Sequence, residues 1–180
     1  FLIWFEKLLI TSPWWAVLIV SVGLTYAASR SWKHCLGVAG ALLAIGWFGM
    51  WLDTMRTLSI ITVSTMVSIA IGVPVGILMG RSNRAQSVIT PLLDVMQTMP
   101  AFVYLIPVVM LFSIGTVSGI LATIVFALPP IIRLTSLGIR QVHPELVEAA
   151  LAFGATSWQV LRKVQFPLAM PSVMAGLNQT

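Results

Sequence analysis

The chain has 180 residues, 58% of them hydrophobic and only 8% charged, where an ordinary soluble domain is roughly 25% charged. That balance excludes a protein whose main solvent is water. The net charge of +5 does not point to nucleic acid either, because a positive-inside bias and contact with anionic headgroups account for the basic residues.

A bilayer's hydrocarbon core is about 30 Å thick and takes about 20 helical residues to cross. Leu8 to Ser29 is uncharged and predicts a first span over 9–29. Arg30 and Lys33 follow this apolar run rather than precede it, which argues against a signal sequence. Cys35 to Leu52 is again uncharged and predicts a second span, 35–52. Cys35 is the one cysteine, so there is no internal disulfide and no thiolate metal cluster. It reads as a small apolar residue at a helix start. Trp14, Trp15, Trp47 and Trp51 fall near the outer ends of these two spans, where interfacial belts of tryptophan form.

Leu58 to Gly80 predicts a third span, 57–80. Apolar area does not drive helices together in lipid, so small residues at helical spacing mark where backbones approach. Thr65, Ser68, Gly72, Gly76 and Gly80 make such a stripe. It suits packing against another span of the same chain, or the seam of a homodimer.

From Val95 to Ile132 no residue is charged. As helix this run would be about 57 Å long, nearly twice the core thickness, so the chain must cross, turn and re-cross. The turn is expected near Ser113 to Gly119, which gives spans over 88–112 and 119–138. Pro74, Pro100, Pro107, Pro129 and Pro130 lie in or at the edges of spans and predict kinks. The polar residues at depth are Asp94, Gln97 and Thr98, with Tyr104 beyond them. These four are the candidates for a solute path. An intramembrane carboxylate is costly, and Asp94 suits either structural pairing with a nearby arginine or coupling and gating. His34 and His143 lie beside loops, and no metal site is suggested.

Gln141 to Pro167 is short, charged and amphipathic. Pro144 suits a first helical turn, and Glu145 and Glu148 sit near the positive end of the helix dipole. Gly154 is placed to end that helix in a left-handed conformation. Thr156 with Gln159 makes a capping box that opens a second helix, running until Pro167. A sixth span is expected to begin near Pro171 and run off the end, so the chain reads as truncated. Eight basic residues (Arg30, Lys33, Arg81, Arg84, Arg133, Arg140, Arg162, Lys163) fall on one side of this topology, and Lys7 and Arg56 on the other. That places the N-terminus outside and residues 139–170 in the cytoplasm.

Glu148-Ala149-Ala150, Gly154 and Val164-Gln165-Phe166-Pro167 resemble the E-A-A…G…I-x-L-P loop of permease subunits in binding-protein-dependent ABC importers, with Val164 for the usual Ile and Phe166 for the usual Leu. Leu92 to Tyr104, Phe126 to Leu134 and Met174 to Thr180 are similar to the glycine betaine, proline betaine and choline branch of these permeases. The resemblance implies an all-α, polytopic transmembrane bundle of the type I importer kind, with about five spans and the start of a sixth. Residues 1–56 would be accessory helices and 57–180 the core permease domain. Within it, 141–167 would be the coupling region, where Glu145, Glu148, Ala149, Ala150, Gly154, Val164, Phe166 and Pro167 dock on the ATPase.

The partners implied are a cytoplasmic ATPase dimer, a second permease copy, an extracytoplasmic solute-binding protein and the lipid of a bacterial inner membrane. The chain has no phosphate-binding loop of the G-x-x-x-x-G-K-[ST] kind, so ATP and magnesium would belong to the partner. Methionine or a sulfonate is the alternative cargo. An ion-coupled secondary transporter would explain the spans but not the E-A-A loop. A membrane-embedded enzyme would need a polar cluster that the spans lack.

Overall fold

The computed structural model describes residues 2–180, and every regular element in it is helical. The helices are α1 (Leu2–Thr11), α2 (Trp14–Ser29), α3 (Trp32–Trp47), α4 (Trp51–Arg81) and α5 (Asn83–Thr98). They are followed by α6 (Ala101–Phe112), α7 (Thr116–Arg140), α8 (Pro144–Ala152), α9 (Ser157–Val160) and α10 (Phe166–Asn178), with a π-helical turn at Leu161–Gln165 joining α9 to α10. The chain divides inside α4 into two compact units, Phe1–Val63 and Ser64–Thr180.

In the first unit α2 packs on α3. The expected 9–29 span is broken: Ser12 and Pro13 interrupt it, and α1 and α2 meet at 103°. Proline supplies no N–H and its ring crowds the turn before it, so the helix restarts after Pro13. Cys35 is buried and free, with its thiol 3.9 Å from the Val22 carbonyl. Helix α3 ends at Trp47, five residues short of the expected 35–52 span, because Gly49 takes a left-handed conformation at φ +71. Its N–H donates to Gly46 and that of Met50 to Ile45, the pairing that closes a helix end. Trp14, Leu18, Leu42, Leu43, Gly46 and Trp51 line an apolar cavity of about 440 Å³.

In the second unit α7 is the central element, with α5, α6 and α10 packed along it. Helices α4 and α7 are each long and apolar enough to cross a membrane alone, and the bent pairs α1–α2 and α5–α6 bring the candidates to four. Helix α4 runs through Pro74 and α7 through Pro129 and Pro130 without a break. The expected 88–112 span does break, at Met99 and Pro100, into α5 and α6. The residue before a proline avoids helical backbone, and Met99 is extended at φ −77, ψ 129.

The small-residue face of α4 meets α7 at backbone range. A Cβ added at Gly72 would lie 2.7 Å from Ile131 Cγ2, one at Gly76 2.6 Å from Thr135 Cβ and 2.9 Å from the Ile132 carbonyl, and one at Gly80 3.0 Å from Ile139 Cβ. Ser68 is buried on the same face and Thr65 half-buried. Helix α10 approaches α7 as closely, since a Cβ at Gly138 would be 2.7 Å from Ser172 Cβ and 3.0 Å from the Ala169 carbonyl. Beside these seams Met79, Leu93 and Ile132 form one buried cluster, and Ile139, Leu161 and Ala169 another.

Candidate functional site

Two features of the second unit are the candidates, an exposed turn and a pocket lined in part by the exposed residues Gln97, Met99, Phe126 and Gln179. The turn joins α8 to α9. Pro144 stands in the first turn of α8 with Glu145 beside it, where the missing N–H costs nothing and the dipole favours a carboxylate. The helix closes at Gly154, which has φ +79. The Gly154 N–H donates to Leu151 and the Ala155 N–H to Ala150, satisfying two carbonyls that the helix leaves open. Thr156 then caps α9: its hydroxyl accepts from the Gln159 N–H and its own N–H donates to the Gln159 side chain at 2.8 Å.

This turn leaves unusual apolar surface bare. Phe153 is 93% exposed, and Leu146, Leu151 and Trp158 are also exposed. Glu145, Glu148, Ala149, Gly154 and Pro167 are exposed, and Ala150, Val164 and Phe166 half-buried. A concavity of about 420 Å³ opens there between Ala150, Phe153, Gly154, Gln159 and Val164.

Behind the turn the structure is anchored. Val160 and Leu161 are buried, and Leu161 packs with Ile139 of α7, Ala169 of α10 and Ile77 of α4. The expected helix stop at Pro167 does not occur. The Phe166 N–H bonds five residues back to Leu161, and this widened turn gives the Pro167 ring room that an α-helical turn denies it. Nor does a new helix start at Pro171, since α9, the π turn and α10 form one rod from Ser157 to Asn178, about 33 Å long.

The pocket lies between α5, α6, α7 and α10. Gln97, Tyr104, Phe126 and Gln179 line it, together with Met96, Met99 and Pro130, around about 170 Å³. Of the four expected path residues, Gln97 and Tyr104 face it. Thr98 does not line it, and its hydroxyl donates to the Val95 carbonyl. Asp94 lies one helical turn away and pairs with Arg133 of α7. Arg140, two turns further along α7, donates to Asn83 Oδ1 and to the Met79 carbonyl, both at 2.9 Å, and so holds the α4–α5 connection.

The Asp94–Arg133 pair joins α5 to α7, and the Arg133 Nε is buried without a partner. Both side chains are part-exposed, at 37% and 55%, but an unpaired charge within a span is costly, so removing one member should cost more than removing both. Asp94→Asn is expected to lower the unfolding temperature of the purified protein further than Asp94→Asn with Arg133→Gln. Strictly additive losses across that cycle would mean that the pair does not couple the helices.

Residues 72–178 match the family described as binding-protein-dependent transport system inner membrane component. The chain belongs to this family. It is similar to the glycine betaine/proline betaine transport system permease protein ProW of Escherichia coli (strain K12), 51% identical over 178 residues, 98% of this chain and 49% of that protein. It is also similar to the glycine betaine/carnitine transport permease protein GbuB of Listeria monocytogenes serotype 1/2a (strain 10403S), 46% identical over 170 residues, 93% of this chain and 60% of that one. The chain thus spans about half the length of the first of these relatives. Among solved structures, a chain of the MetNI methionine ABC transporter in an inward-facing conformation superposes with a TM-score of 0.61 at 25% identity, over 69% of this chain and 64% of that one.

Three residues of this inner membrane component were not singled out by sequence reasoning. Phe126 and Gln179 reach the pocket from α7 and from the end of α10, and no periodicity in either helix tells a pocket from a packing seam. Phe153 stands beside Gly154, and its signal was available: a large aromatic next to a left-handed glycine cannot be covered by its own helix.

Proposed function

We propose that the chain is the membrane-spanning subunit of an ATP-driven importer of a small quaternary ammonium osmolyte, such as glycine betaine or proline betaine. It supplies the path and the lever, and a separate ATPase binds ATP and magnesium. The observation that carries this reading is the α8–α9 turn, a bare apolar surface fixed to a rod that runs to the pocket. A surface with exposed Phe153, Leu146 and Trp158 calls for a protein partner when it sits on a charged, water-facing loop. The relatives' printed substrates support the cargo, because glycine betaine, proline betaine and carnitine all join a quaternary ammonium to a carboxylate.

In this reading the α8–α9 turn and Arg162 and Lys163 face the cytoplasm and the N-terminus lies outside, as the basic residues of Arg81, Arg84 and Arg140 also require. Two copies form the path, an extracytoplasmic binding protein delivers the solute, and the ATPase dimer holds the docking turns. When nucleotide closes the ATPases, the α8 surfaces move with them. Leu161 and Ala169 pass the motion to α7 and α10, so the ATPase biases a bundle with two arrangements through one docked element.

The test is uptake into proteoliposomes by the complete importer with its binding protein. Labelled glycine betaine should accumulate only with internal ATP, and unlabelled proline betaine or carnitine should compete. Competition by methionine or a sulfonate alone would sink the assignment of cargo. Uptake driven by an ion gradient without ATP would sink the transporter class.

A further inference from the structure

We infer that the pocket between α5, α6, α7 and α10 is a transient site for the quaternary ammonium itself, so that the membrane subunit reads the cargo's chemistry instead of merely opening for it. The inference rests on the transport reading above and names the atoms that would meet the solute.

Four properties of the pocket fit this ligand together. First, its lining includes no charged residue, which suits a cargo of zero net charge. Asp94, the nearest carboxylate along α5, is engaged by Arg133 one turn away. Second, Tyr104, half-buried, and Phe126, 61% exposed, bring two aromatic rings to one small concavity. A quaternary ammonium spreads its charge over methyl groups and offers no hydrogen-bond donor, and such ions are held by aromatic faces. Met96 and Met99 add polarizable thioethers. Third, Gln97 of α5 and Gln179 at the end of α10 bring amide N–H donors to the same pocket, and these can meet a carboxylate.

The fourth property is covalent. Pro100, Pro129 and Pro130 have no N–H to give the carbonyls of Met96, Val125 and Phe126, four residues back, so these oxygens lack the donor that a helix ordinarily supplies. Met96 and Phe126 both line the pocket. A freed carbonyl is a negative dipole end with no proton to return, and a methylated ammonium can approach it. A proline at the α5–α6 break and two within α7 are thus useful as well as tolerated. The volume of about 170 Å³ falls below the roughly 300–1,000 Å³ of sites for drug-sized ligands. It matches a solute as small as a methylated amino acid.

The site also lies where the lever can reach it. Gln179 follows the last residue of α10, at the far end of the rod from Ser157. A shift of the α8–α9 turn that moves this rod would change the distance between Gln179 and Gln97, and so weaken the site as the path reopens.

The experiment uses the complete importer in proteoliposomes at saturating liganded binding protein, so that delivery is the same for every variant, and reads uptake and ATP hydrolysis together. Tyr104→Leu and Phe126→Leu keep apolar bulk and remove the ring. Each is expected to slow glycine betaine uptake roughly tenfold, the order of one lost cation–π contact, with stimulated ATP hydrolysis within twofold of wild type. Tyr104→Phe and Phe126→Tyr should restore uptake to near wild type. Leucine variants that transport at the wild-type rate would overturn the site while leaving the transport reading intact. So would leucine variants in which uptake and hydrolysis fall in parallel, the mark of a packing defect. A wild-type complex that takes up no quaternary ammonium would overturn both.

Discussion

Replacing Gly154 with arginine is expected to abolish solute-stimulated ATP hydrolysis and uptake while leaving the subunit inserted and folded. Two costs separate cleanly at this position. The backbone there has φ +79, so any side chain pays about 1 kcal/mol or more for left-handed geometry. Within its own chain, though, a Cβ at Gly154 meets nothing within 4 Å. The space is open because the turn faces outward, between exposed Phe153 and the cavity wall. Gly154→Ala should therefore cost only the backbone strain, with a modest loss of activity. Gly154→Arg adds a long charged side chain to the surface proposed to dock on the ATPase, and a buried unpaired charge at an interface costs several kcal/mol. Activity should fall at least a hundredfold, with trypsin resistance and yield of the purified membrane subunit unchanged. Normal stimulation in the arginine variant would show that the ATPase does not dock on this turn.

Legibility in the sequence varied with the range of the interaction. The α8–α9 turn was fully readable, because every determinant is local: Pro144 at a helix start, a glycine six residues after Glu148, and Thr156 with Gln159 three apart. Its Schellman closure and capping box are matters of neighbouring backbone groups. The membrane-spanning helices were readable in order but not in number or at their breaks: five spans were expected, and at most four candidates are present among the described residues, α3 with its 16 residues not being one of them. Pro13 and Pro100 split helices, whereas Pro74, Pro129 and Pro130 do not, and the residue type is the same in all five. What differs is the surroundings. The last two are packed into the seam with α10, where the Pro130 carbonyl would lie 3.3 Å from a Cβ on Gly176, and such packing can hold a helix straight through a missing hydrogen bond.

The stop at Pro167 failed for a similar reason. Propensity sees an absent N–H, but it cannot see a π turn inserted to make room, because that turn is held by Leu161 and Ala169 packing on Ile139. The pocket lay furthest from the sequence. Gln97 and Tyr104 could be nominated as polar residues at depth. Phe126 and Gln179, on helices far along the chain, become lining residues only when α5, α6 and α10 converge on α7.

The glycine stripe gives the second large effect, and its force comes from a comparison within one chain. Gly37 and Gly40 of α3 and Gly76 of α4 are all helical glycines, and alanine is the better helix former at each by about 1 kcal/mol. At Gly37 and Gly40 an added Cβ meets nothing within 4 Å, so Gly37→Ala and Gly40→Ala should be neutral or slightly stabilising. At Gly76 the same methyl would stand 2.6 Å from Thr135 Cβ and 2.9 Å from the Ile132 carbonyl. The second of those is backbone and cannot rotate aside, so α4 must move off α7. Forcing one methyl into a close-packed seam costs about 1–3 kcal/mol, and the movement would also part the seam at Gly72 and Gly80 beside it. Gly76→Ala is thus expected to lower the unfolding temperature of the purified protein by several degrees. Gly76→Leu should prevent stable accumulation in the membrane. Both outcomes are read from unfolding curves and membrane yield beside Gly37→Ala. If Gly76→Ala matched Gly37→Ala in both measurements, the α4–α7 seam would have to be looser than backbone contact, and the small residues of α4 would have no packing role in this subunit.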